Sequence, residues 1–445
     1  MFTSNAHAIG PSAVSPITHI VVVVQENHSF DNYFGTYPTA NGTLVNSITK
    51  NLEHVNGLPN RICLPFKSRC VPPRPAKGYT TTDPNEGQLA YENDYDGGRM
   101  DGFPQFSGPQ SMTYFDYHQI SAYWVYAEEY GLADNYFASA MTTGGPNRLI
   151  LFAGDTPVPD DDAPPSYISY SNTVLAQLSD NGISWGYYDY GIMPYIYPFI
   201  YFSNFTRSAA SNIHDVSAFF QELSNGTLPA VNFVMALGAN GLDEQPPSNV
   251  TLGETWTVSV VNAIMASSYW NSTVILITWG DGSGYYDHVP PPQLLTIDHN
   301  FTHALHGYGE RVPLLVISPY AKENYVSHQV LNHMSITRFI EDNWQLPTLN
   351  RNVAESNSLE GFLDLKMAPR APIILGATGA YNVSSFPAPI QIPFDTLPYS
   401  RSSTANNTQL ITKPFSIADA FAAATAKVKQ ARLAETGSTS RSKFL

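Results

Sequence analysis

The hydrophobic positions along this chain fall into two kinds of run. Uninterrupted, β-branched stretches occupy residues 18–25, 231–237, 273–279 and 312–318. That is the pattern of strands covered on both faces of a parallel sheet, where no polar position is tolerated on either side. Between these runs, apolar residues recur at helical spacing over 172–180, 213–223, 255–269 and 328–343. Strand and helix alternate, which predicts a three-layer α/β/α fold around a mainly parallel, doubly wound sheet.

Two segments depart from this alternation. Residues 40–111 carry clustered Pro, Gly and Asn with little periodicity and read as a long loop insertion near the first strand, of the kind that forms the rim of a site. Residues 376–410 are Pro- and Ser-rich, and 416–435 form an Ala-rich helical pattern with Lys and Arg. The expected organisation is therefore an α/β domain over 1–375, with its insertion, and an appendage over 376–445.

Composition narrows the setting. With 22 Lys+Arg against 37 Asp+Glu, the formal charge is -15, and nucleic acid is excluded as a natural partner. Only 13% of residues are charged; the neutral polar surface that remains suits an acidic exterior. Asn-x-Ser/Thr sequons begin at Asn27, Asn41, Asn204, Asn225, Asn249, Asn271, Asn300, Asn382 and Asn406, and N-glycans are expected on an exported chain. Asn27 follows a buried strand and is the poorest acceptor among them. Cys63 and Cys70, the only cysteines, read as a small disulfide loop or else a pair of free thiols. The best apolar run, residues 20–24, reads as a strand, and no apolar run reaches membrane-spanning length. The first residues lack a basic region followed by an apolar stretch, so an export signal would have been removed or replaced. The expected location is extracellular or cell-surface.

Ligands of open parallel sheets gather beyond the carboxyl ends of the strands, which makes the residues there the first candidates. The first strand ends in Gln25-Glu26-Asn27-His28-Ser29-Phe30-Asp31, so a carboxylate and an amide oxygen stand side by side. They suit a divalent cation or, equally, a cap or turn pair. After 273–279 come Gly280-Asp281 and then Asp287-His288, a further carboxylate and a pair suited to proton transfer or to a structural hydrogen bond. Thr142-Thr143-Gly144-Gly145 precede Pro146, and Pro at a helix start predicts an N-terminus able to hold a phosphate. Thr143 is a nucleophile there or an ordinary N-cap. His306 and His333 read as structural histidines, and the aromatic run 187–205 as packing or the lining of a lipid cleft.

Taken together, Glu26-Asn-His-Ser-Phe-Asp31 and Tyr286-Asp-His-Val-Pro-Pro291 resemble the phosphoesterase family of bacterial phospholipases C and acid phosphatases within the alkaline phosphatase superfamily. Met100-Asp-Gly-Phe103, Asp134-Asn-Tyr-Phe137, Pro146-Asn-Arg148, Arg311-Val-Pro313 and Ile317-Ser-Pro319 follow in the family's order. The resemblance implies an alkaline-phosphatase-like fold and hydrolysis of phosphate esters, either phospholipid head groups or phosphomonoesters, by a metal-bound Ser or Thr. It implies Glu26, Asn27 and Asp281 as ligands of one divalent metal ion, with Asp287 and His288 lining the site.

Four positions depart from the family's pattern. The nucleophile of Gly-Pro-Thr-x-Pro-Asn-Arg is replaced by Gly144, so that Thr143 is the nearest hydroxyl. An acidic pair at the later metal segment reads Gly280-Asp281. The histidine of Glu-His-Pro-Pro reads Gln245, and that of an Asp-Pro-x-His segment reads Glu86. Two expectations of different class follow: a secreted metal-dependent phosphoric ester hydrolase, or a catalytically degenerate relative, with or without the metal, that serves a structural or binding role and self-assembly outside the cell.

Overall fold

Val21, Val22 and Val23 have no solvent exposure at all, because the strand they form has a neighbour on each side and helices over both faces. The computed structural model describes residues 11–40, 43–44, 54–161, 166–191, 197–237, 241–293 and 307–375. Among these, the main sheet contains β1 His19–Gln25, β2 Gly131–Ala133, β3 Trp185–Asp189, β4 Ile213–Asp215, β5 Val231–Met235, β6 Thr273–Trp279, β7 Leu314–Ile317 and β8 Tyr325–Ser327, in the order β4-β3-β5-β1-β6-β7-β2-β8. The pairs β4/β3, β3/β5, β5/β1, β1/β6 and β2/β8 are parallel, while β7 runs antiparallel to both β6 and β2.

The helices that position the site are α1 Phe30–Phe34, α2 Gln88–Tyr95, α3 Tyr117–Glu129, α4 Gly144–Ala153, α5 Val174–Asp180, α6 Val216–Asn225, α7 Val250–Met265 and α8 His333–Trp344. α4 packs on α5 and α8, whereas α7 packs on α3 and α6, which gives the sheet one helical layer on each side. Local chemistry fixes several starts. Asp116 and Asn332 build capping boxes for α3 and α8, and Asn249 accepts from Thr251 N to open α7.

The expected three-layer, mainly parallel architecture is the fold of the described residues. Several boundaries differ for local reasons. Residues 213–223 open as the edge strand β4 before Asp215 caps α6, and α7 starts five residues before the expected 255 because Asn249 supplies its cap. The helix expected to open at Pro146 begins at Gly144, so the proline sits inside the first turn, where its missing N–H costs no hydrogen bond. The described part of the insertion is more ordered than its composition suggests, since it holds α2 and a hairpin of Leu64–Phe66 with Arg69–Val71. The segment 376–445 lies outside the described residues, as do His306, Asn41, Asn300, Asn382 and Asn406.

Cys63 and Cys70 are bonded across that hairpin, with Cα atoms 5.5 Å apart. Leu64 and Val71 pack beneath it against Met100, Phe103, Met112 and Tyr286, so apolar packing seats the hairpin on the loop that follows β6 while the bridge closes the hairpin itself. Replacing both cysteines by serine is expected to lower stability by about 2 kcal/mol, the entropy of closing so short a loop. Thermal melts of the variant beside the oxidised parent check this.

Candidate active-site cleft

β1 and β6 are adjacent and in register, Gln25 beside Trp279, so the residues that leave them emerge together at one edge of the sheet. Glu26 and Asn27 follow β1, and Gly280 and Asp281 follow β6. Asn27 Oδ1 accepts the backbone N–H of Asp281 at 3.1 Å, and Asp281 Oδ1 accepts from Tyr91 Oη at 2.8 Å and from Ser283 N at 2.6 Å. The start of α4 forms the third wall. A Cβ placed on Gly144 would stand 3.1 Å from Glu26 Oε2 and 3.4 Å from Asp281 Oδ2, so both carboxylates face one point at the helix N-terminus. The three residues expected to share a site therefore converge. Thr143 adjoins them in the N-cap position, but its hydroxyl leaves the helix uncapped and instead donates to Asp160 Oδ1 at 3.3 Å and accepts from Asp161 N at 3.2 Å.

Arg148 fills the space between these walls. It lies one helical turn after Gly144, on the same face of α4, and is 1% exposed. Its Nη2 pairs with Glu26 Oε1. The point where a Cβ of Gly144 would stand is 2.8 Å from Arg148 Nη1, and that of Gly280 is 3.3 Å from Arg148 Nη2 and 2.9 Å from Asn27 Oδ1. The guanidinium thus lies against the open faces of both glycines.

Above it opens a cavity of about 620 Å³, lined on its polar side by Glu26, Asn27, Glu86, Thr143, Asp160, Asp161, Asp243 and Gln245. Gln245 spans it, accepting from Asn27 Nδ2 at 3.1 Å and donating to Glu86 Oε1 at 3.4 Å. Burial raises Asp161 to about 7 despite the pull of Arg148, and raises Asp243 to about 6. Burial and the neighbouring carboxylates also raise Glu86 and Asp281. A lining this rich in carboxylate oxygen disfavours a phosphate dianion.

Asp287 and His288 stand apart from this lining. Asp287 Oδ1 accepts from Arg311 Nε at 2.8 Å, Asp31 Oδ1 accepts from Arg311 Nη2 at 3.1 Å, and His288 Nδ1 is 2.6 Å from Asp31 Oδ2. One donor atom each from Asp31, Asp287 and His288 lies within 4.8 Å of the others, a group able to hold a metal ion. Both of its carboxylates already have a counter-charge in Arg311, which is fully buried. His333 is buried between Ser139 N and the carbonyl of Trp279, 3.3 and 2.9 Å away, and burial lowers it to about 4, which fits its structural reading. The described aromatics of 187–205 pack inward, Tyr187 and Phe199 against Phe152 among them.

Residues 17–347 match the Phosphoesterase family over most of the chain. The chain belongs to that family. Similar members include a non-hemolytic phospholipase C of Pseudomonas aeruginosa, 25% identical over 441 residues covering 87% of this chain and 60% of that protein. Phospholipase C B of Mycobacterium tuberculosis is 24% identical over 401 residues, 76% of this chain and 75% of that protein. Non-specific phospholipase C3 of Arabidopsis thaliana is 26% identical over 360 residues, 72% and 66% of the two chains. The chain thus spans less than two thirds of the Pseudomonas protein. A solved structure of an alkaline phosphatase superfamily protein from Vibrio parahaemolyticus aligns over 79% of this chain and 74% of that one, at 12% identity and a TM-score of 0.39.

Members of the Phosphoesterase family are typically metal-dependent. The residues at the convergence point do not fit a divalent ion here. Gly280 offers no side-chain oxygen, but the decisive obstacle is the guanidinium paired with Glu26; its positive charge stands where a hard cation would need free carboxylate oxygen. Arg148, Tyr91, Asp160, Asp161 and Asp243 carry no role in the sequence reading. For Arg148 the usable signal was its spacing of four from Gly144. The others come from segments remote in sequence, and nothing in their local pattern marks them.

Proposed function

We propose that this chain is an extracellular, catalytically degenerate member of the Phosphoesterase family, whose cleft is retained for a structural or binding role rather than for turnover. The observation that carries this reading is Gly144. At the start of α4, where a nucleophile would face the two convergent carboxylates, there is no hydroxyl, and Arg148 Nη1 lies 2.8 Å from where its Cβ would be. The replacement of the family's histidines by Gln245 and Glu86 agrees, since an amide exchanges no proton at ordinary pH and a buried carboxylate adds to the negative lining. An extracellular site is supported by the disulfide and by the exposure of Asn204, Asn225 and Asn271 as glycan acceptors. On the same reading, 1–375 is the family domain, 376–445 an appendage, and self-association the route into an assembly.

One observation favours a second reading. The Thr143 hydroxyl opens onto the same cavity and donates to Asp160, so that Asp160 is placed to take its proton as the oxygen attacks phosphorus. Substrates would then be phospholipid head groups or phosphomonoesters. The purified protein, assayed on a chromogenic phosphate monoester and a phosphocholine ester, is expected to show no turnover above the uncatalysed rate. Robust hydrolysis that Thr143→Ala reduces by about 10²-fold or more would instead establish an enzyme with a displaced nucleophile.

A further inference from the structure

We infer that the guanidinium of Arg148 is the resident cation of this cleft, seated in the room left by Gly144 and Gly280 and balancing Glu26 and Asp281 in place of a divalent ion. The inference deepens the degenerate reading and rests on it for the identity of the two glycines as lost functional positions. Three observations carry it. Arg148 is 1% exposed and its Nη2 is ion-paired with Glu26 Oε1, while no nitrogen of the buried guanidinium makes a hydrogen bond. Asp281 Oδ2 is buried without a hydrogen-bond partner and lies 3.4 Å from the Cβ point of Gly144, which is itself 2.8 Å from Arg148 Nη1. The Cβ points of both glycines fall within 3.3 Å of the guanidinium, so a side chain at 144 would force it to shift and one at 280 would crowd it.

The two substitutions are therefore one change in space. Losing the side chains at 144 and 280 together opens the room that the arginine fills, and once seated it leaves no purpose for a metal carboxylate at 280. An arginine in the family's Pro-Asn-Arg segment must shift from this place where threonine precedes it by four residues, because the threonine Cβ would stand 2.8 Å from Nη1. Guanidinium does not deprotonate at any ordinary pH, and it is weakly hydrated and planar, which suits burial against two carboxylates better than an ammonium would.

The test reads metal rather than turnover, which separates it from the question of hydrolysis. The full chain is incubated with Zn²⁺, Mn²⁺ or Ca²⁺, desalted and analysed for bound ion, and its melting temperature is compared in each ion and in EDTA. Uptake that depends on Glu26 is expected to be absent, and the melting temperature unchanged, since an ion bound only by the folded state would raise it. Arg148→Met keeps the bulk and removes the charge; it is expected to take up about one equivalent of metal, lost again when Glu26→Gln is added. Uptake of an equivalent by the natural chain that Glu26→Gln abolishes overturns the inference, as does a folded Arg148→Met protein that gains no metal. An ion retained equally by Glu26→Gln sits elsewhere and counts with zero uptake in support. Should Arg148→Met fail to fold, the natural chain and its Glu26→Gln variant decide the matter alone.

Discussion

Arg311→Ala is expected to be among the most destabilising single substitutions in the described fold, costing about 3–5 kcal/mol. Arg311 is fully buried and spends its whole fork of donors: Nε on Asp287 Oδ1 at 2.8 Å, Nη1 on the carbonyls of Asn56 and Asp134 at 2.8 and 2.7 Å, and Nη2 on Asp31 Oδ1 at 3.1 Å. Its guanidinium also stacks over Phe30, 4.5 Å from the ring centre. Alanine would leave Asp31 and Asp287 facing each other in a low-dielectric interior with two orphaned carbonyls beside them. Burial already raises Asp287, so one of the pair would have to take up a proton. Arg311→Lys keeps the charge but cannot reproduce the planar fork, and it should recover only part of the loss. Urea unfolding decides this: a lowered midpoint at unchanged slope is the expected result, and a midpoint within about 0.5 kcal/mol of the parent's stability would contradict it.

The second large effect is a fall in stability as pH rises from about 6.5 to about 8. Burial raises Glu244, Glu254 and Glu310, and likewise Asp94, to about 8. For Glu244, hydrogen bonds from Tyr33 and Trp279 offset only part of the burial. A carboxyl whose folded value lies above its unfolded one binds more protons when folded, so its contribution is complete below the unfolded value near 4 and is lost as pH rises through 8. His28 and His333 act in the opposite sense: burial lowers them to about 3 and about 4, and their contribution, present above 6.5, is lost as pH falls below it. The two sets oppose one another between about 4 and 6.5. Above 6.5 His28 and His333 are silent while the carboxyls titrate, each contributing a slope of up to about 1.4 kcal/mol per pH unit. Melting temperatures at matched ionic strength should therefore decline from pH 6.5 to pH 8, and Glu254→Gln should flatten the decline. A flat or rising profile would show that these carboxyls are ionised in the folded protein.

The sequence by itself determined the sheet's centre and the residues that leave it. The β-branched run Ile20–Val24 has no polar residue and reads as a strand with neighbours on both sides and layers above and below; Thr273–Trp279 and Val231–Met235 follow it, with Thr273, Thr278 and Asn232 buried among their apolar residues. Once those strands are parallel neighbours, Glu26, Asn27 and Asp281 must emerge together, since each stands within two residues of a strand end. The bridge between Cys63 and Cys70 was legible for a similar reason, because few residues separate them. What the pattern could not carry was orientation and partnership at a distance. Leu314–Ile317 reads like the parallel strands, yet it runs antiparallel, since apolar alternation is the same in either direction. Trp185–Asp189 is a central strand written in aromatics, and Gly131–Ala133 is too short to show a period.

The chemistry divides in the same way. Sequence placed Asp287 beside His288, but only the fold brings Arg311 and Asp31 to them and so turns the pair into part of a buried ion cluster apart from the cavity. The resemblance likewise marks Gly144, Gly280, Gln245 and Glu86 as departures from the family's pattern, four separate differences along the chain. Only the packing of α4 against the ends of β1 and β6 brings two of those positions against Arg148, because van der Waals contact acts between atoms a few ångströms apart whatever their separation along the chain.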